Sequence, residues 1–132
     1  MALLKRTLYT LGGLLLVGGI ALSLAPGWVT GKLLGQPAYP DVAWIRLSGI
    51  DSATVALLAI LVAHHIETHW WWSWAFALGA AASGAVTTFH ALVGLPESAA
   101  AWPWWAMAAI GWGFALTLVW GLARAGQEKP IV

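Results

Sequence analysis

Hydrophobic and polar positions divide the chain into four long apolar runs separated by short polar or proline-containing stretches. The first covers about residues 7 to 25 and closes at Pro26-Gly27, a pair that stops a helix. The second covers about 44 to 65, the third about 70 to 92 and the fourth about 102 to 123. Each run has roughly 19 to 23 residues, and a bilayer core about 30 Å thick needs about 20 apolar residues per helix. The pattern predicts an all-α fold: an integral membrane four-helix bundle, antiparallel, in a single domain over 1–132, with both termini on the same side. The first connection, Gly31 to Asp41, contains Gly35, Pro37 and Pro40 and reads as irregular. The second is nearly absent, so the second and third helices are expected to form a tight antiparallel hairpin. Gly94-Leu95-Pro96-Glu97 makes a third short loop.

Composition strengthens the membrane reading. Hydrophobic residues make up 61% of the 132, and charged residues only 8%. A soluble domain carries about 25% charged residues, so this chain cannot build a water-facing surface. Six Lys and Arg spread over the chain form no basic patch, which excludes a nucleic-acid partner. Without cysteine there are no disulfides, thiolate metal sites or thiol redox chemistry. Lys5-Arg6 ahead of an apolar stretch has the look of a signal peptide. The stretch outruns the usual core of about 7–15 residues and reads as a retained first helix. Lys5, Arg6, Arg124 and Lys129 fall on the side of the termini, and Lys32 and Arg46 on the other. The basic bias places both termini in the cytoplasm, with the bacterial inner membrane as the expected location.

Most of the unusual polar chemistry sits at the two ends of the second run. At one end stand His64, His65, Glu67 and His69, followed by Trp70, Trp71 and Trp72. On a continued helix His65 and His69, four apart, share one face, a spacing used for metal ligands; Glu67 and His64 add a carboxylate and a third imidazole. Metal binding and haem or pigment ligation stand beside a plainer reading, polar histidines that end a hydrophobic span at the interface. The zinc-protease order H-E-x-x-H is absent.

At the other end are Arg46 and Asp51, with His90 and Glu97 expected to join them across the hairpin. An intramembrane carboxylate costs about 2.5–3.5 kcal/mol at mid-helix, so Asp51 should find a partner, Arg46 or His90. The set reads as a structural ion pair or as a site for a substrate, a quinone head group or a proton. His69 and His90 are 21 residues apart in sequence, about 30 Å along a helix, so they cannot share one haem within a chain.

Small residues indicate how helices approach each other in lipid. Gly12, Gly13, Gly18 and Gly19 on the first helix, and Gly79, Ser83 and Gly84 on the third, are the candidate packing positions, either within the bundle or against another subunit. The 11 tryptophans cluster near helix ends, as an aromatic belt does, or line a pigment, quinone or lipid tail. Trp112 and Trp120 fall within a helix, where a belt explains them worst.

Four stretches carry a resemblance: Ala25-Pro26-Gly27, Gly35-Gln36-Pro37, Arg46-Leu47-Ser48-Gly49, and the run His90-Ala91-Leu92-Val93-Gly94-Leu95-Pro96. In these the chain resembles the DoxX-like family of small four-helix membrane proteins. The resemblance implies a compact four-helix bundle and, through relatives in sulfur-oxidising quinone reductases, quinone-linked chemistry. It departs from the family pattern at His90, where an arginine is expected, and in the fourth helix, which lacks the expected carboxylate.

The expected function is a non-catalytic accessory subunit of a larger membrane complex of respiratory or photosynthetic type, packed against other subunits or further copies. One alternative is a quinone-linked redox protein with Arg46, Asp51 and His90 around the head group. The other is a metal or haem binder at His65 and His69. With no charge at mid-membrane, a transport pathway is the least favoured.

Overall fold

The computed structural model describes residues 1–129. Five α-helices follow in order: α1 (Ala2–Leu24), α2 (Val42–His64), the single turn α3 (Ile66–His69), α4 (Ser73–Val93) and α5 (Trp102–Glu128). No strand occurs among the described residues. Four helical segments, Ala2–Leu24, Val42–His64, Ile66–Val93 and Trp102–Glu128, are long and apolar enough to cross a membrane. An all-helical protein with four such segments is an integral membrane protein, because only hydrogen-bonded helices or closed barrels satisfy their backbone in hydrocarbon.

Local chemistry explains the ends. Asp41 caps α2 by accepting the Ala43 N–H at 3.0 Å. Pro103 sits in the first turn of α5, where its missing N–H costs nothing. α1 starts ahead of Lys5-Arg6, so this basic pair lies within the helix, and α5 runs on to Glu128. The connection between α1 and α2 is more ordered than proline and glycine suggest. It contains a π-helical turn, Trp28–Leu33, and then Gly35 at φ +60°, a left-handed conformation suited to glycine.

The helices pack in pairs. α1 lies against α2 and α4 against α5, and the two pairs meet through α1 and α5, giving the neighbour order α2, α1, α5, α4. Burial follows that order: 28% and 33% of the apolar windows of α1 and α5 are buried, against 17% for α2 and 11% for the segment containing α4. This corrects the expected tight hairpin of the second and third helices. Their connection is short, yet α3 and a 3-10 turn, Trp70–Trp72, fill it with bulky side chains, and α2 and α4 hardly touch.

Small residues decide the pairing. A Cβ on Gly19 would stand 2.5 Å from the Gly49 carbonyl oxygen, and one on Gly49 would stand 2.6 Å from the Gly19 oxygen. Gly12 likewise sits against Ala56 and Ile60 of α2. On the other pair, Gly111 faces the backbone of Gly84, and Gly84 faces Trp112. Such approaches recover dispersion energy where lipid provides no hydrophobic drive for association. Gly13, Gly18 and Gly79 face open space, and Ser83 accepts a hydrogen bond from Thr87 within α4 through its carbonyl. An apolar core lies at the end with Met1 and Glu128, where Leu4, Leu8 and Leu11 of α1 meet Leu118 and Leu122 of α5.

Candidate functional site

The pairing separates the polar residues into two clusters, one at each end of the helices. At the end with Met1 and Glu128, α2 stops at His65 (φ −105°, ψ 33°) and restarts as α3. Across the break the His69 N–H still donates to the His65 carbonyl at 3.0 Å, and the two rings stay neighbours, edge to face with centroids 6.2 Å apart. Each neighbouring group is engaged elsewhere. His65 Nδ1 donates to the Leu61 carbonyl at 3.2 Å, and Tyr9 Oη lies 3.4 Å from His64 Nδ1. Thr68 Oγ1 lies 2.7 Å from His69 Nδ1. Lys129 donates to the Glu67 carboxylate and to its carbonyl, the latter at 3.1 Å. The candidate metal set His64, His65, Glu67 and His69 thus lies close together with its groups engaged by other partners. Among the described residues no group of three or more His, Cys, Asp or Glu is placed to hold a metal ion. The N-terminal ammonium closes this end by pairing with Glu128 at 3.0 Å.

The opposite end also differs from the expected cluster. Arg46 Nη1 donates to the Ser23 carbonyl at 3.2 Å, because α2 packs along α1. His90, half-buried, stacks on Trp104 of α5 with ring centroids 4.1 Å apart. Glu97 is exposed in the turn before α5. Asp51 is exposed, and neither it nor Arg46 forms an ion pair among the described residues. Arg46, Asp51 and His90 are thus distributed over two helix pairs instead of surrounding one head group.

What does come together there is a clasp that the sequence reading missed. Gln36 Nε2 donates to the carbonyls of Leu34 and Ala100, both at 2.9 Å, and Gln36 Oε1 accepts from Trp104 Nε1 at 3.0 Å. The Ala100 N–H donates to the Gly35 carbonyl at 3.0 Å. These bonds join the connection before α2 to the connection before α5, so the two helix pairs are tied at this end. Gln36 in Gly35-Gln36-Pro37 was the available signal: one amide between a glycine free to take a positive φ and a proline with a fixed one.

The interior tryptophans are explained individually. Trp112 Nε1 donates to Thr88 Oγ1 of α4 at 3.2 Å, and the Arg124 guanidinium lies 5.4 Å from the Trp120 ring centroid, a cation–π contact.

No family model, curated protein or solved structure matches the chain. The functional reading therefore rests on the chemistry of its own residues.

Proposed function

We propose that the chain is a non-catalytic accessory subunit of a larger membrane complex. In this reading it is an antiparallel four-helix bundle of the DoxX-like kind, with both termini on the cytoplasmic side of a bacterial inner membrane. The observation that carries the proposal is Asp51. α2 turns Gly49, Ala53 and Ala56 toward α1, and Asp51 lies exposed, outside that packed set. Ser48 and Thr54, its neighbours on α2, donate their hydroxyl protons to Trp44 and Ile50 of the same helix, so neither is committed to the carboxylate. A carboxylate in hydrocarbon costs about 2.5–3.5 kcal/mol at mid-helix, which favours a partner that supplies a cation or hydrogen-bond donor. The small buried share of α2 and α4 leaves apolar surface for such a partner.

The test is native electrophoresis of the full chain extracted in mild detergent, with mass spectrometry of what comigrates. Comigration with other membrane chains, or with further copies, is expected. Asp51→Leu should weaken the association by about 1–2 kcal/mol, roughly tenfold, without loss of helix content. A single-chain species from the native membrane, or association indifferent to Asp51→Leu, overturns the proposal.

A further inference from the structure

A groove of about 380 Å³ runs between α1 and α5, lined by Arg6, Thr7, Thr10, Ile110, Gly113 and Thr117. Three of these residues are threonines, yet their hydroxyls are spent. Thr7 donates to the Leu3 carbonyl, Thr10 to Arg6 and Thr117 to Gly113, at 2.9, 2.9 and 2.7 Å. Donation within the helix leaves their methyl groups as the available lining. Gly113 contributes no side chain, and a Cβ placed there would meet nothing within 4 Å. The walls are therefore apolar, and one cation, Arg6, stands among the lining residues.

The charge balance at this end is one-sided. Among the described residues the side-chain carboxylates at this end are both taken, Glu128 by the N-terminal ammonium and Glu67 by Lys129. Lys5, Arg6 and Arg124 form no ion pair among the described residues. Arg6 lies one turn into α1, at the edge of its apolar run, the kind of position where basic residues meet the headgroup region of a bilayer. A guanidinium matches a phosphodiester in shape and charge, and an apolar slot leading from it matches an acyl chain.

We infer that the α1/α5 groove is a binding site for one anionic phospholipid, its phosphate on Arg6 and an acyl chain laid over Gly113. The site is independent of the accessory-subunit reading, since it uses neither α2 nor Asp51.

The experiment measures lipid retention by native mass spectrometry of the full chain. Phosphatidylglycerol and phosphatidylcholine with identical acyl chains are supplied at equal concentration. Phosphatidylglycerol should be retained about fivefold more strongly, the ratio expected for one basic residue at an anionic surface. Arg6→Gln should abolish the preference, while Lys5→Gln, which removes the same charge outside the groove, should preserve most of it. Gly113→Leu, whose Cβ would meet nothing within 4 Å, puts a side chain into the groove and should reduce retention of both lipids, with circular dichroism reporting intact helices. Equal retention of the two lipids by the unaltered chain overturns the inference, as does equal loss in Arg6→Gln and Lys5→Gln. Protection of the chain by inorganic phosphate to the same degree would place the affinity in the anion alone and overturn the acyl-chain part.

Discussion

The two helix pairs solve the same problem in different ways. In α1/α2 the contact is reciprocal, with Gly19 and Gly49 each pressed on the other's carbonyl oxygen. Its polar links lie toward the helix ends, at Arg46 with Ser23 and at Tyr9 beside His64. In α4/α5 the contact is one-sided: Gly111 meets backbone, whereas Gly84 receives the Trp112 indole. A hydrogen bond from Trp112 to Thr88 then crosses this interface within the span. The first pair rests within the span on close backbone approach, with its polar links at the ends, and the second adds an aromatic ring and a polar clamp inside the span. In lipid both are workable, because close packing and interhelical hydrogen bonds are the available sources of association.

The largest test of that contrast is Gly49→Val. A Cβ at this position stands 2.6 Å from the Gly19 carbonyl oxygen and 2.8 Å from the Ser23 backbone nitrogen, atoms that cannot move without parting the helices. Overpacking costs about 1–3 kcal/mol, and this variant should fall at the upper end in denaturant titration of the detergent-solubilised chain. Gly18→Ala, one residue from the contact on α1, meets open space. It should be neutral, or stabilising by up to about 1 kcal/mol through helix propensity. Equal losses in the two variants would show that α1 and α2 are not held by this crossing.

A smaller effect separates the two sides of the second pair. Gly111→Ala places its methyl 2.8 Å from the Gly84 nitrogen, again backbone, and should cost about 1–3 kcal/mol. Gly84→Ala meets Trp112 atoms at 3.1 Å, part of them a side chain able to rotate. Its cost should be clearly lower by the same titration. A reversed order would mean that the indole is fixed and the backbone yields.

These particulars mark how far the sequence could be read. Four spans were legible because apolar runs of membrane length leave few alternatives. Pairing was not. Gly12 and Gly13 look alike in sequence, as do Gly18 and Gly19, yet only Gly12 and Gly19 are used, since rotation by one residue carries a glycine from the interface to the lipid. The candidate head-group set rested on a related assumption. Arg46, Asp51 and His90 were grouped by assuming that neighbours in sequence pack along their length, whereas small residues gave α2 to α1 and α4 to α5. The histidine cluster was visible and its rings do stay neighbours, but the partners that engage them and Glu67, namely Leu61, Tyr9, Thr68 and Lys129, could not be read from spacing.

Trp112→Phe gives the smallest effect and isolates the polar part of the α4/α5 contact. The indole N–H donates to Thr88 Oγ1 at 3.2 Å, and that hydroxyl itself donates to the Gly84 carbonyl at 2.6 Å. Phenylalanine keeps an aromatic ring against Gly84 and deletes the donor, leaving the Thr88 lone pair without its cross-helix partner. Interhelical hydrogen bonds in membranes average about 0.6 kcal/mol, with a maximum near 1.7, so the expected loss is about 0.6 kcal/mol. Thr88→Ala should cost about the same and add little in the double variant, because both remove one bond. Full additivity would assign the Trp112 contribution to ring packing. The two pairs would then differ only in which atoms face glycine, without a polar clamp in the second.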